Sequence, residues 1–305
     1  MNVHVQGWFD AAGVRSATTR TPDGVDLHYE VLGNRDPEAP ALLLANGLGG
    51  RLYVWQDLVE RLRDRYRILT WDYRGLFRST SPPRRKGLSI PHHAADARHL
   101  LDVEGIDRAH LVGWSMGVQV SLELALECPQ RVRSLTLLNG APGHVLQTGL
   151  QPVIRMPLGH RTLHATIELL ERSPRLVGVI SAAIRSRLHS RVVSALLGAW
   201  GYDARLEAMY SQYVDDVFGP SFPNYLRLFQ ELDAHSVYHL LPDIQQPTFV
   251  VSGRLDYLTP AVLADRIARR IPNAQHLRLP WGSHFAVLEY PDLVLDRLEA
   301  FLAAS

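Results

Sequence analysis

Cysteine is nearly absent from this 305-residue chain, whose single example, Cys128, cannot form a disulfide within it. Cys128 follows a predicted helix in LECPQR, where we expect a buried thiol, which is unreactive without a cationic neighbour. Clustered metal ligands are also missing, because His92 and His93 have no cysteine or histidine partners at metal-ligand spacing. The sequence therefore predicts no metal site.

An excess of one charge is lacking as well. The chain holds 32 Lys and Arg residues against 31 Asp and Glu residues, which gives a formal net charge of +1. The arginines are spread along the chain without a long basic block. Neither feature favours binding to nucleic acid or to an anionic membrane surface.

Long uninterrupted hydrophobic runs are missing too. The most apolar stretch, residues 176–200, contains Arg185, Arg187 and Arg191, which argues against a membrane-spanning helix. The segment MNVHVQGWFDAAG at the start has no basic residues followed by a long apolar run, so we expect no signal peptide. The sequence thus predicts a cytoplasmic protein without stable insertion into a membrane, and it gives no indication of the oligomeric state.

What the chain does have is enough apolar material for one large core, at 46% hydrophobic residues. Two extended segments flank the turn Pro22-Asp23-Gly24, and short apolar runs then alternate with helical patterns. Such alternation is typical of an α/β fold, a mostly parallel sheet covered by helices on both faces. The predicted strands are 41–45, 66–71, 109–112, 132–138, 248–252 and 274–279, and the predicted helices are 55–64, 90–104, 116–127, 260–270 and 292–303.

The alternation stops between the two groups of strands. Residues 142–240 contain helix-like segments such as HATIELLER, RLEAMYSQYVDDV and NYLRLFQEL and no convincing strand. Because the sheet needs both flanks to be complete, this region is interpreted as an inserted helical lid. The predicted organisation is an α/β core in two parts, 1–141 and 241–305, interrupted by a lid at 142–240.

The segment GWSMG at 113–117 places a serine between two glycines. An apolar strand enters a helix there with almost no loop, and glycine tolerates such crowding because it has no Cβ. A G-x-S-x-G match alone is weak, but a strand-turn-helix context is what a nucleophile elbow requires. Ser115 is therefore the candidate nucleophile.

A serine nucleophile needs a histidine to take its proton. Catalytic groups of an open parallel sheet gather outside the carboxyl ends of its strands. His284, in PWGSHFAV, lies just past the last predicted strand and is the candidate base. His276 lies within that strand, where alternation predicts that it faces solvent.

The carboxylate that orients the base is also expected after a strand. Asp256 follows the strand in FVVSGRLDYLTP. A helix cap is the competing role for Asp256, but Thr259 followed by Pro260 makes a better cap and first-turn pair. The predicted strand 132–138 is followed by Asn139 instead of an acid, so Asp256 is the candidate acid.

A tetrahedral oxyanion requires donors fixed in advance. One should be the backbone N–H of Met116, at the start of a helix, where the dipole favours negative charge. The other should come from the loop Asn46-Gly47-Leu48-Gly49-Gly50, whose glycines let the backbone turn towards a substrate.

Together these motifs resemble the α/β-hydrolase superfamily, in its serine carboxylesterase and lipase-like branch, over nearly the whole chain. The motifs that carry the resemblance are NGLGG (46–50), DYRGLFRS (72–79), GWSMG (113–117), SGRLD (252–256) and GSH (282–284), and the chain order of nucleophile, acid and base also agrees. The resemblance implies an α/β-hydrolase fold and no cofactor. It also implies roles for five residues: Ser115 as nucleophile, Asp256 as acid, His284 as base, and Leu48 and Met116 as oxyanion donors.

The chain departs from the family pattern at two positions. Relatives usually have histidine where this chain has Asn46, so the bonds within that loop can differ. They carry glycine where this chain has Phe77, which is expected to place bulk beside the site. The Trp before the nucleophile resembles some microbial carboxylesterases, including those of biotin synthesis.

The expected substrate is a small-molecule ester with a hydrophobic acyl or alcohol portion, because some lid aromatics should line the cleft above Ser115. The same triad could act in C–C cleavage, lactone opening or acyl transfer, and a ligand receptor on a hydrolase scaffold is a non-enzyme alternative. Serine at position 115 disfavours an Asp-nucleophile dehalogenase or epoxide hydrolase. The lid aromatics are Trp200, Tyr210, Tyr213, Phe218, Phe222, Tyr225 and Phe229, and Phe218 and Phe222 are expected to influence acyl-length preference.

Overall fold

The computed structural model describes residue 8 and residues 12–82, 85–148, 159–186 and 203–305. Its strands are β1 Arg15–Arg20, β2 Asp26–Gly33, β3 Ala41–Ala45, β4 Arg67–Trp71, β5 Ala109–Trp114, β6 Val132–Leu138, β7 Thr248–Gly253 and β8 Ala274–Leu279. They form one sheet in the order β1-β2-β4-β3-β5-β6-β7-β8. β1 and β2 form an antiparallel hairpin, β2 also runs antiparallel to β4, and the remaining pairings are parallel. The predicted mostly parallel sheet is confirmed.

Helices connect the strands at positions close to the predicted ones. They are α1 Gln56–Leu62, α2 Ile90–Val103, α3 Met116–Glu127, α4 Val145–Thr148, α5 Gly159–Glu171, α6 Pro174–Ile184, α7 Ala204–Val217, α8 Phe222–Ala234, α9 Ala261–Arg270, α10 Ala286–Glu289 and α11 Pro291–Ala303. Short 3₁₀ turns cover Leu52–Trp55, Arg85–Leu88, Pro129–Arg131 and Tyr238–Asp243. Within the described parts of the chain, no helix has the length and apolar character needed to cross a membrane.

The continuous apolar strands are explained by burial on both faces. Along β3, Leu43 belongs to the core on one face of the sheet, while Leu42 and Leu44 belong to the core on the other face. This alternation follows from the two-residue period of a strand. The first face is covered by α2, α3 and α9, and the second by α1 and α11. The carboxyl ends of β3, β5 and β7 thereby lie at one edge of a sheet that is packed on both faces.

The described residues between β6 and β7 are mainly helical, with one isolated bridge between Gly143 and Ser236. Two of these helices reach the loops after β3 and β4: Tyr213 on α7 donates to the carbonyl O of Leu48 (2.7 Å), and Asn224 on α8 donates to that of Gly75 (2.6 Å). The division into a two-part core and a lid at 142–240 stays a prediction. Trp200 lies outside the described residues.

Candidate active site

Ser115 occupies the turn between β5 and α3, in the middle of the sheet. Its backbone angles, φ 55° and ψ −112°, are ones that non-glycine residues rarely adopt. Strain of this kind persists where the surroundings enforce it, often at functional sites. A Cβ on Gly117 would overlap the carbonyl O of Ala45, and one on Gly113 would overlap that of Gly117. The two glycines therefore allow the backbone approach that holds the serine at the tip of the turn.

The three residues Ser115, His284 and Asp256 are brought together although they are far apart in the sequence. His284 follows β8 and Asp256 follows β7. His284 Nε2 lies 3.0 Å from Ser115 Oγ, and His284 Nδ1 lies 3.0 Å from Asp256 Oδ2. Because Nδ1 faces a carboxylate, it carries the ring proton, and Nε2 is left to accept the proton of the serine. This arrangement can turn a serine hydroxyl into a nucleophile.

The Asp256 carboxylate is buried and surrounded by donors. Oδ1 accepts hydrogen bonds from the backbone N–H groups of Leu258 (3.0 Å) and Thr259 (2.7 Å), and Oδ2 accepts one from Asn139 Nδ2 (3.0 Å). Burial by itself would raise the pKa of Asp256, but the attraction of His284 and these hydrogen bonds outweigh it, so the pKa lies below its usual value. The side chain is therefore held ionised and fixed in orientation.

Thr259 does not have the capping role that the sequence predicts. α9 begins at Ala261 after Pro260, and no side chain caps it. The Thr259 hydroxyl instead lies 2.8 Å from both Asp256 Oδ2 and the carbonyl O of Asn139, and it can donate to either. The expectation was wrong because α9 begins one residue later than predicted, so that Pro260 stands in the cap position, and because the Thr259 hydroxyl meets a buried carboxylate, which is a strong acceptor. Thr259 and Asn139 thus hold the carboxylate that the sequence analysis identified.

Leu48 and Met116, the expected oxyanion donors, line the same cavity as Ser115. Met116 is the first residue of α3, so its N–H has no partner within the helix. Leu48 lies in the loop after β3. Both residues line a cavity of about 70 Å³ together with Ser115 and His284. We call this cavity the small chamber; its other described lining residues are Gln119, Ala141, Val145, Tyr213, Phe229, Leu232, Leu258 and Thr259.

Asn46 makes hydrogen bonds at both ends of its side-chain amide. Its Nδ2 donates to Thr70 Oγ1 (3.0 Å) and to the carbonyl O of Trp71 (2.9 Å), and its Oδ1 accepts from Trp55 Nε1 (2.7 Å). The side chain is 1% exposed. Both ends of the amide are therefore satisfied, and the start of the loop is tied to β4 and to the helical turn that follows the loop.

Trp114, the residue before Ser115, contacts both the loop after β3 and the loop that carries His284. Its indole N–H donates to the carbonyl O of His284 (3.0 Å), and its ring centroid lies 5.6 Å from that of His284. On the other side, a Cβ on Gly47 would lie 2.5 Å from Cε3 of the indole. Glycine at position 47 is thus required by the tryptophan, and the ring fixes both the loop after β3 and the histidine loop.

A second cavity, of about 250 Å³, adjoins the first. It shares His284, Tyr213 and Leu258 with the small chamber, but Ser115 does not line it. We call it the large chamber; its described lining residues are Tyr53, Val54, Leu206, Met209, Tyr210, Tyr213, Leu255, Tyr257, Leu258, Ser283, His284, Phe285, Leu288 and Glu289. The site is therefore a pair of cavities that meet at the histidine.

Some of the aromatic residues named from the sequence line these cavities, and others pack against neighbouring side chains. Tyr210 lines the large chamber and Phe229 the small one, as expected of lid aromatics. Phe218 and Phe222 line neither; their rings pack against each other, 4.9 Å apart. Phe77 also lines neither chamber, because its ring lies under the Arg51 guanidinium, 4.9 Å away. Phe77 has φ 51°, a backbone conformation that glycine adopts more readily than phenylalanine.

His276, which the sequence places on the exposed face of a strand, is largely buried. The His276 side chain is only 7% exposed, and its Nε2 lies 2.9 Å from Ser252 Oγ. The expectation that it faces solvent was wrong because α9 covers that face of β8 and brings Asp265 to 3.4 Å from its Nδ1. Among the described residues, no group of three or more His, Cys, Asp or Glu side chains is placed to hold a metal ion.

Comparison with known proteins agrees with the fold. A family model described as the alpha/beta hydrolase fold matches residues 40–291. The protein named "Putative carbamate hydrolase RutD" from Agrobacterium fabrum is 28% identical over 278 residues, which are 90% of this chain and 98% of that protein.

Solved structures give the same result. A hydrolase from Pseudomonas aeruginosa has a TM-score of 0.71 and 26% identity, over 95% of this chain and 99% of that one. An esterase from Exiguobacterium antarcticum shares the fold at 17% identity, with a TM-score of 0.70 over 95% of this chain and 100% of that one. The chain therefore belongs to the α/β-hydrolase family and is a hydrolase.

Proposed function

We propose that this protein is a serine hydrolase that cleaves small carboxylic esters with a hydrophobic acyl or alcohol portion, without a cofactor. The observation that carries the proposal is the unbroken series of hydrogen bonds from Ser115 Oγ to His284 Nε2 (3.0 Å) and from His284 Nδ1 to Asp256 Oδ2 (3.0 Å). The apolar lining of the two adjoining chambers supports the hydrophobic substrate.

In the first half of the reaction, Ser115 Oγ attacks the acyl carbon and its proton passes to His284 Nε2. The carbonyl oxygen becomes an oxyanion, which accepts hydrogen bonds from the backbone N–H groups of Leu48 and Met116. Each such donor typically lowers the barrier by ~3–4 kcal/mol. The bond to the alcohol oxygen then breaks, and that oxygen takes the proton from His284.

In the second half, water attacks the acyl-enzyme. His284 Nε2 takes a proton from the water, a second oxyanion forms between the same two N–H groups, and the proton returns to Ser115 Oγ as the acid leaves. Asp256 stays ionised throughout and stabilises the imidazolium, consistent with the lowered pKa of its buried carboxyl.

Carbamate esters are a second candidate substrate class. The observation that favours them is the 28% identity, over 90% of this chain, to the protein named as a carbamate hydrolase. A carbamate carries nitrogen on the acyl carbon, and the same attack by Ser115 would release the alcohol. The two classes differ only in the acyl group, so a substrate pair with one alcohol separates them.

The test of the proposed function combines covalent labelling with turnover. A fluorophosphonate probe is expected to label Ser115, and mass spectrometry of the digested protein should locate the adduct on the peptide that contains GWSMG. p-Nitrophenyl acetate and p-nitrophenyl carbamate, assayed side by side, show which acyl class is preferred. An adduct on a different serine, or labelling of Ser115 with no catalytic turnover of either compound, would contradict the proposal.

Tyr213→Phe tests whether the lid side chain holds the loop that supplies one oxyanion donor. The Tyr213 hydroxyl donates to the carbonyl O of Leu48 at 2.7 Å. Phenylalanine keeps the ring that lines both chambers and removes this bond, whose net contribution is about 1 kcal/mol. We expect kcat to fall by about threefold to tenfold, while KM changes little.

Tyr29→Phe is the matched control, because it also removes a tyrosine hydrogen bond, here to Glu104 Oε1 (2.8 Å), and Tyr29 lines neither chamber. Its kcat is expected to stay within about twofold of the original value. Equal losses of kcat in both variants, or a loss that appears only in KM, would show that the bond to Leu48 does not position the oxyanion donor.

A further inference from the structure

We propose that the two chambers separate the two parts of the substrate at the bond that is cleaved: the acyl group occupies the small chamber and the alcohol group the large one. This inference rests on the proposed function, because it places the substrate relative to Ser115 and His284. It assigns a substrate class, namely esters of a short acyl group with a long or bulky apolar alcohol.

The leaving alcohol needs a proton, and the source of that proton decides on which side the alcohol lies. The alcohol oxygen takes it from His284 Nε2, so the leaving group must lie on the side of the histidine. The large chamber is built on the histidine loop, with Ser283, His284 and Phe285 in its lining. An alcohol that departs past His284 therefore points into the large chamber.

The groups that hold the acyl carbon belong to the small chamber. Ser115, Leu48 and Met116 line the small chamber and do not line the large one. The acyl carbon is bonded to Ser115 in the intermediate, and its oxygen faces the two N–H groups. The rest of the acyl group thus has the small chamber as its adjacent space.

The two chambers differ in volume, and both are mainly apolar. The volumes are about 250 Å³ and about 70 Å³, so the space for the alcohol exceeds that for the acyl group by more than threefold. In the large chamber, Glu289 accepts hydrogen bonds from the backbone N–H (2.7 Å) and the hydroxyl (2.6 Å) of Ser283. In the small chamber, the Gln119 amide bonds to the carbonyl O of Leu232 (3.3 Å) and to His235 Nδ1 (2.8 Å). These polar groups satisfy one another, so both chambers offer mainly apolar surface to a substrate.

The rim of the large chamber adds room for a long alcohol. Leu255, Tyr257 and Leu258, from the loop that carries the acid, line the large chamber and are 38%, 62% and 43% exposed. The chamber therefore reaches the protein surface along this loop, and an alkyl chain longer than the chamber can extend over apolar side chains.

A pair of isomeric esters tests the assignment. Octyl acetate and ethyl octanoate contain the same atoms and differ only in which side of the ester bond carries the long chain. We expect kcat/KM for octyl acetate to exceed that for ethyl octanoate by at least tenfold. Along the series butyl, hexyl and octyl acetate, kcat/KM should rise by up to about fourfold per buried methylene group.

Two variants that fill one chamber each make the test specific. Leu206 on α7 and Phe229 on α8 are both half-buried lid residues, and each lines only one chamber, the large and the small one respectively. Leu206→Trp is expected to reduce kcat/KM for octyl acetate at least fivefold more than for ethyl acetate. Phe229→Trp is expected to reduce kcat/KM for ethyl butanoate at least fivefold more than for ethyl acetate. Fluorophosphonate labelling at the original rate shows that each variant keeps its nucleophile.

The outcomes distinguish the two proposals. If Ser115 is labelled and ethyl octanoate is cleaved as well as or better than octyl acetate, the assignment of the chambers is overturned while the proposed function stands. Labelling without cleavage of either isomer also overturns the assignment. If Ser115 is not labelled and no ester is turned over, the proposed function fails and the assignment fails with it.

Discussion

Replacing Ser115 by alanine is expected to lower kcat for ester hydrolysis by about 10⁶-fold, the loss found when a serine nucleophile of this kind is removed from another hydrolase. The substitution takes away the atom that attacks the acyl carbon and keeps the Cβ, so the backbone at φ 55° is unchanged. KM and the free energy of unfolding should therefore change little. Steady-state kinetics measures kcat and KM, and thermal unfolding measures the stability of the variant.

Ser121→Ala is the matched control for this variant. Ser121 is a buried serine on α3, about one and a half turns after the nucleophile. Its loss should leave both the fluorophosphonate labelling and the turnover close to their original values. A Ser115→Ala protein that retained labelling, or most of its turnover, would show that another residue is the nucleophile.

The second large effect is expected for Asp256→Asn, which should lower kcat by about 10⁴-fold, by analogy with a serine protease triad. A neutral amide can turn its NH₂ group towards His284 Nδ1, which stabilises the wrong tautomer, and it cannot stabilise the imidazolium. The amide also offers a poorer acceptor to Asn139 and Thr259, whose donors now lie within hydrogen-bond distance of Oδ2. Steady-state kinetics with p-nitrophenyl acetate measures the loss.

Asp265→Asn serves as the control, since Asp265 is a carboxylate on α9 that bonds Arg278 at 2.8 Å and lines neither chamber. Its kcat is expected to remain within about twofold of the original. Near-original turnover by a folded Asp256→Asn protein would mean that the acid lies elsewhere in the chain.

The pH dependence of stability gives an independent readout for Asp256. Its pKa in the folded protein lies below the usual value, because the attraction of His284 and the surrounding hydrogen bonds outweigh the effect of burial. The carboxylate therefore contributes stability above the unfolded pKa of about 4, and this contribution is lost as the pH falls through the folded pKa. Thermal unfolding between pH 2 and pH 7 should show a shallower loss of stability in acid for Asp256→Asn than for the original protein.

The sequence predicted those parts of the structure that local sequence patterns determine. The strands along β3, β5 and β7 follow from short apolar runs, and the turn at Ser115 follows from two glycines between a strand and a helix. His284 and Asp256 could be named because each follows a strand, and the carboxyl ends of parallel strands share one edge. The structure brings these three side chains within hydrogen-bond reach of one another.

The parts that could not be predicted depend on partners distant in the sequence. Thr259 looked like a helix cap, but its hydroxyl meets the carbonyl O of Asn139, 120 positions earlier. His276 looked exposed from its strand alone, but α9 covers it. The bond from Tyr213 to Leu48 spans 165 positions and has no local signature. Composition alone marked the lid aromatics, and only packing decided that Phe218 and Phe222 bury each other.

The order of the strands has a consequence for synthesis on the ribosome. Among the described strands, β7 and β8 are made after all the others, and they extend the sheet beyond β6 and are followed by the loops with Asp256 and His284. A nascent chain that has reached β6 already holds Ser115, but it lacks both Asp256 and His284. It also presents the unpaired edge of an apolar strand, which is prone to pair with other chains. Emergence of residues 248–284 thus covers that edge and brings Asp256 and His284 to Ser115 together, so that extension of the sheet and assembly of the candidate site are coupled.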